Sequence, residues 1–126
     1  SKFNASALSS AGAKGLMQLM PKTATEIAVK LGKDNWKEDE LNNPSTNIEF
    51  GCFYLNYLCE IFEDLNVVFA AYNAGPNTVK NWLQQKEYSE NGKTLKVIPF
   101  KETENYVKKI NKAIKVYSRK IGKISS

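Results

Sequence analysis

Histidine is absent from the 126 residues, and cysteine, methionine and tryptophan occur only twice each. Without an imidazole there is no histidine general base and no Ser–His or Cys–His catalytic pair. Two thiols alone do not make a zinc site, so no metal ligand set and no cofactor is expected. Cys52 and Cys59 stand seven apart in one helical stretch, which separates their Cα atoms by about 10 Å, beyond disulfide reach. They are expected as small apolar core residues. Arginine occurs once, as Arg119. No apolar run approaches the roughly 20 residues of a membrane-spanning helix. Neither is there a basic-then-apolar N-terminal stretch of the signal-peptide kind. Internal repeats, low-complexity tracts and linkers are also missing.

What is present suits one soluble globular domain over residues 1–126. The length supports a single core, and 42% apolar with 25% charged residues is ordinary for a soluble fold. The net charge of +5 is unevenly placed: from Lys101 onward there are eight basic and two acidic residues, and the preceding hundred are close to neutral. A lysine stripe with a single arginine and no interleaved aromatics reads as a solvated face, so nucleic acid is not expected as a partner. Electrostatic attraction to an anionic polymer surface is the softer functional form of the same feature.

The apolar spacing is helical throughout. A short amphipathic helix is expected over 22–31, ending at Gly32, with Pro21 suited to its first turn. Residues 33–43 read as a polar loop with at most one helical turn, anchored by Trp36 and Leu41. Asn47 is the expected N-cap of a long helix in which Ile48, Cys52, Leu55, Leu58, Cys59, Phe62 and Leu65 recur at helical spacing. Phe50, Phe53 and Tyr54 add further apolar faces, so that helix is expected to be central and buried on most sides. Residues 67–72 are nearly all apolar; their length fits a strand, but the Gly75-Pro76 stop and the helical neighbours favour a buried helix. A helix over 77–85 with Val79, Trp82 and Leu83 inward follows. Residues 86–101 form the longest irregular stretch and read as a binding loop or flap. The last helix, about 102–121, carries Tyr106, Val107, Ile110, Ala113, Ile114, Tyr117 and Ile121 on its apolar side. The fold class is mainly α.

Several polar groups stand among apolar neighbours. Gln18 lies between Leu16, Met17, Leu19 and Met20, behind the glycines Gly12 and Gly15. Tyr72 and Asn73 close the apolar run before Gly75, and Glu102 opens the last helix. A buried amide needs partners, so Gln18 either braces a loop or faces a polar ligand. Amides, a phenol and a carboxylate beside apolar walls suit a neutral, hydroxyl-rich and amide-bearing ligand such as an N-acetylated sugar. Each also has a plain reading: Asn73 as a helix C-cap, Glu102 as a charge complementing a helix dipole, Tyr72 as a core phenol.

In order along the chain these residues form a pattern. It begins with Ser1-Lys2-Phe3-Asn4, Ala7-Leu8-Ser9 and Ala11-Gly12-Ala13-Lys14-Gly15-Leu16-Met17-Gln18, then Met20-Pro21-Lys22-Thr23-Ala24. Asn43-Pro44, Asn47-Ile48, Gly51 and Tyr54-Leu55 follow. The pattern closes with Ala70-Ala71-Tyr72-Asn73-Ala74-Gly75-Pro76 and Glu102-Thr103-Glu104-Asn105-Tyr106-Val107. The whole resembles the lytic transglycosylase catalytic domain of the soluble murein transglycosylase type, and the first and Tyr72 blocks together are its most specific part.

The resemblance implies a lysozyme-like, mostly helical fold acting on peptidoglycan strands in the cell envelope or outside the cell. It implies cleavage of the β-1,4 bond between N-acetylmuramic acid and N-acetylglucosamine, with a 1,6-anhydromuramoyl end formed without water. One glutamate serves as acid and then base, a substrate-assisted exception to the two-carboxylate scheme. Carried over, Ser9 and Tyr72 support that carboxylate. Met17, Gln18, Met20 and Asn73 line the sugar subsites, and Glu102, supported by Tyr106, binds sugar across the groove. The pattern departs from the family at one point: the catalytic glutamate immediately precedes the serine that is here Ser1. The acid and the N-terminal helix that delivers it are therefore expected upstream, the domain is expected to be N-terminally truncated, and the chain as written is expected to be inactive. A non-catalytic glycan-binding module and a goose-type lysozyme are the rival readings.

Overall fold

A computed structural model describes residues 19–125 of the chain, with side chains as far as residue 122. The described residues are mainly helical and contain no β-strand. They belong to two compact units, Ser1–Tyr57 and Leu58–Ser126, whose boundary falls inside a helix.

In the first unit, helix α1 spans Pro21–Lys30 with proline at its first turn and buries Ala24, Ile27 and Ala28. Its end is a Schellman motif: Gly32 at φ +75° donates to the Val29 carbonyl (3.1 Å), and the Lys33 N–H reaches Ala28 (2.9 Å). A 3₁₀ turn, Glu38–Asn42, follows. There the Glu40 carboxylate accepts from the Lys37 N–H at 2.8 Å, and Leu41 is fully buried. Trp36 lies tilted against Phe50, ring centroids 4.8 Å apart, so both anchors expected of this segment are in place.

Helix α2, Pro44–Ile61, starts earlier than the sequence suggests. Asn43 caps it, its Oδ1 accepting from the N–H groups of Ser45 (2.9 Å) and Thr46 (3.4 Å), and Pro44 takes the first helical position. Asn47 is no cap. It is fully buried inside the first turns, and its Nδ2 donates to the Leu41 carbonyl at 3.0 Å, tying the 3₁₀ turn to the helix.

The buried face of α2 also differs from the expected one. It carries Asn47, Phe50, Gly51, Tyr54 and Leu58, whereas Ile48 is 45% exposed and Cys52 and Cys59 are exposed. The helix is apolar on several faces, so periodicity alone allowed a stripe rotated by one or two positions. The bulky rings decide the orientation. Tyr54 stacks with Tyr57 (6.5 Å, 15°), and Lys30 of α1 lies 5.2 Å from the centre of the Tyr57 ring. Burial, with smaller contributions from Glu26 and Tyr57, raises the Tyr54 pKa to about 12, so its phenol stays neutral.

In the second unit, α3 (Leu65–Ala74) is a helix and not a strand. Asp64 caps it through a 3.2 Å bond from the Val67 N–H, and Val67, Val68, Ala70 and Ala71 are buried. Gly75, at φ +96° and ψ 144°, ends α3 and admits Pro76 as the first residue of α4 (Pro76–Leu83). A side chain is strained in that backbone region, so glycine is required there. Val79 and Trp82 form the buried side of α4.

The connection from residue 84 to 100 is tied down by its own groups. Buried Ser89 donates to the Thr94 carbonyl (2.6 Å) and accepts from the Gly92 N–H (2.9 Å). Asn91 Oδ1 accepts from both Lys93 and Thr94 N–H groups at 2.9 Å. The Tyr88 carbonyl accepts from the Lys96 N–H at 2.8 Å. The Phe100 ring meets Trp82 edge-on at 5.1 Å, which fixes how the chain approaches the last helix.

Helix α5 spans Lys101–Ser125 and lies along α3. Thr103 and Val107 are buried and Ile110 is half-buried, but every residue from 112 to 122 is exposed. The apolar side of α5 is therefore covered only near its start, where α3 runs beside it.

Candidate functional site

Three cross-links between α3 and α5 show how the site is set. Asn66 accepts from Asn111 Nδ2 at 2.7 Å. The Tyr72 and Tyr106 rings stack nearly parallel (5°) with centroids 6.4 Å apart. Thr103 Oγ1 donates to Asn73 Oδ1 at 2.7 Å. As the number rises on one helix it falls on the other, so the pair is antiparallel, and the end of α3 meets the start of α5. Buried Ala70 and Ala71 occupy little volume just before that end.

The sequence-derived candidates Tyr72, Asn73 and Tyr106 are thereby brought together, although they are up to 34 residues apart in sequence. All three are half-buried. Burial raises the Tyr106 pKa, keeping its hydroxyl protonated and able to donate. Because the Asn73 carbonyl oxygen accepts from Thr103, the amide orientation is set and its NH₂ is the group left to donate to an acceptor. Asn73 is thus an oriented member of the α3–α5 junction and does not act as the C-cap of α3. That position belongs to Gly75, whose N–H bonds the Ala71 carbonyl at 2.8 Å.

Glu102 is exposed in the first turn of α5, next to Thr103. Together with Glu104 it complements the positive end of the helix dipole. Glu104 also pairs with Lys101 (3.2 Å) and Lys108 (3.9 Å), exposed contacts of small energetic weight.

Met20 precedes α1 in the first unit, half-buried, with its carbonyl accepting from the Ala24 N–H at 2.9 Å. Ser9, Met17 and Gln18 lie outside the described residues. Among the described residues, no group of three His, Cys, Asp or Glu side chains converges on a point that could hold a metal ion.

Thr103 is the functional candidate whose role sequence reasoning missed. Beside Glu102 it stands out as a polar residue at the start of the last helix, but a hydroxyl paired with an amide thirty residues away leaves no local signal of that partner. A double-mutant cycle tests the link: Thr103→Val and Asn73→Ala are expected to be coupled by about 1 kcal/mol in urea unfolding, the net worth of one such bond. Additive effects would show that the bond contributes nothing.

The pattern of the transglycosylase SLT domain matches residues 1–95. The soluble lytic murein transglycosylase of Salmonella typhimurium is 39% identical over 114 residues, covering 87% of this chain and 18% of that protein. Among solved structures, an inactive Glu-to-Gln variant of lytic transglycosylase Slt from Pseudomonas aeruginosa superposes with a TM-score of 0.76 at 35% identity, covering 97% of this chain and 20% of that one. The 70 kDa soluble lytic transglycosylase Slt70 of Escherichia coli gives a TM-score of 0.67, also at 35% identity, over 85% of this chain and 18% of its own. The chain thus spans about a fifth of the length of these proteins. The SLT match ends before α5 begins.

Proposed function

Because this chain belongs to the transglycosylase SLT domain family, with the mainly helical, lysozyme-like fold of its relatives, we propose that it is the catalytic domain of a peptidoglycan lytic transglycosylase of the cell envelope. Its substrate is the β-1,4 bond between N-acetylmuramic acid and N-acetylglucosamine. The acid is the glutamate that the family places immediately before the serine corresponding to Ser1. Residues 1–126 carry the supporting wall of the site and not the acid itself.

In this reading the neutral glutamic acid gives its proton to the glycosidic oxygen, and the bond to the anomeric carbon breaks. The substrate's N-acetyl group stabilises the positive charge that develops there. The resulting carboxylate then takes the proton of the sugar's own C6 hydroxyl as that oxygen bonds to the anomeric carbon. The product is a 1,6-anhydro end, the glutamate is protonated again, and no water is consumed. An acid that must be neutral before the reaction needs apolar surroundings that raise its pKa. Ser9 and Tyr72 support the carboxylate, Met17, Gln18, Met20 and Asn73 line the sugar subsites, and Glu102 with Tyr106 holds sugar across the groove.

The observation that carries the reading is the junction of α3 and α5, where Tyr72 stacks on Tyr106 and Thr103 orients Asn73, set within the motif order of a family whose named relatives are lytic transglycosylases. The Pseudomonas relative, described as inactive with glutamine in place of one glutamate, supports dependence on a single carboxylate. Mass spectrometry of glycan fragments released by the glutamate-bearing form is the test. Anhydro ends, one water lighter than reducing ends, are expected. Reducing ends would make the enzyme a hydrolase of the goose-lysozyme kind, and binding without release would make it a glycan-binding module.

A further inference from the structure

The apolar stripe of α5 outruns the helix that covers it. At 100° per residue, Ile110, Ile114, Tyr117 and Ile121 fall within an arc of about 60°. Ile110 is half-buried where α5 lies along α3, whereas Ile114 is 44% and Tyr117 67% exposed. Lys108, Lys112, Lys115 and Arg119 fill a second arc of about 60°, centred roughly 160° away, and Lys109 and Lys120 lie on one flank between the two. No acidic residue follows Glu104 in the chain. This half of the helix is therefore amphipathic and every charge on it is positive, with one exposed valine, Val116, on the lysine flank, and the first turns of α5 are fixed by Thr103, Tyr106 and Asn111.

Three kinds of partner meet these features differently. A dissolved or wall-bound polyanion neutralises the lysines but leaves Ile114 and Tyr117 in water. A second copy of the helix covers the apolar stripe but brings two carboxylate-free cationic segments together. An anionic lipid surface meets both needs: the aliphatic side chains enter the acyl boundary, the tyrosine sits at the head-group level, and the lysine stems extend their ammonium groups to lipid phosphates.

We propose that residues 110–122 of α5 form an interfacial docking surface for an anionic phospholipid membrane, with the helix lying in the membrane plane. No helix among the described residues is long and apolar enough to cross a membrane, and the docking requires none.

Co-sedimentation of the 126-residue protein with vesicles tests this. Binding to phosphatidylcholine vesicles containing phosphatidylglycerol is expected to be roughly tenfold or more tighter than to phosphatidylcholine alone. The double variant Ile114→Asn/Tyr117→Asn keeps the charge and, with both sites exposed, the fold; it is expected to lose roughly tenfold in binding. Unchanged circular dichroism confirms its folding. Lys112→Gln/Lys115→Gln/Arg119→Gln is expected to lose the preference for phosphatidylglycerol.

The proposal fails if the charged vesicles are not bound, or if the Ile114/Tyr117 variant binds them as well as the parent. Binding confined to an anionic wall polymer, or sedimentation-velocity dimers abolished by that variant without vesicle binding, also overturns it in favour of the other two partners. No glycan is present, so its failure would leave the transglycosylase reading untouched.

Discussion

Purified peptidoglycan incubated with residues 1–126 alone is expected to remain intact. The same polypeptide preceded by the family's glutamate-bearing helix is expected to cleave it about 10²–10⁴ times faster, the usual contribution of a positioned general acid. The expectation follows from the chemistry of the remaining carboxylates. Glu102 is exposed at the start of α5, Glu104 is held between Lys101 and Lys108, and Asp64 accepts from a backbone N–H at the start of α3. Glu26 is exposed on α1. The other nine Asp and Glu residues of the chain are all exposed, so none combines the apolar enclosure and the motif position of an acid that must be neutral before it reacts. The measurement is release of soluble muropeptides from sacculi, with contaminating lysozyme removed. Cleavage by the short form at the rate of the extended one would mean that some carboxylate within residues 1–126 does the work. In the extended form, glutamine at the added glutamate is expected to return activity to the level of the short form.

Phe50→Ala is expected to destabilise the protein by about 3–5 kcal/mol, in the range for deleting a buried ring. Phe50 is fully buried and packs against Trp36, so the substitution leaves a cavity and removes a ring contact. Against a total stability of about 5–15 kcal/mol, that loss brings the protein close to unfolding. Ile48→Ala, two positions earlier on an exposed site, is expected to cost far less. Urea unfolding followed by tryptophan fluorescence measures both, and Trp36 reports directly on the Phe50 pocket. Equal costs would mean that the buried face of α2 is the one periodicity first suggested.

That pair of residues also shows how far the sequence could be read. Helix positions were legible because their stops are chemical: Pro21 and Gly32 bound α1, and Gly75-Pro76 separates α3 from α4. The buried face of α2 was not, because Ile48, Phe50, Cys52 and Tyr54 offer apolar surface in several directions, and only packing selects among them. Asn43 and Asn47 are both good caps in isolation. Which one caps depends on Leu41, whose carbonyl needs the Asn47 amide. The apolar spacing of α5 was read correctly, but spacing cannot tell how far a neighbouring helix extends.

At the site, Tyr72, Asn73, Glu102 and Tyr106 were picked out by their place in an ordered family pattern, and the structure brings Tyr72, Asn73 and Tyr106 to one helix junction. Thr103 had no such signal as a partner. Its role depends on the register between α3 and α5, which three side-chain contacts define.

The connection between α4 and α5 has a thermodynamic consequence. Ser89, Asn91 and Tyr88 hold it by hydrogen bonds within itself, so much of its conformational entropy is already lost when the chain folds. A ligand meeting that surface meets a preformed wall, and the ordering penalty that a loose loop imposes at the moment of binding is largely absent.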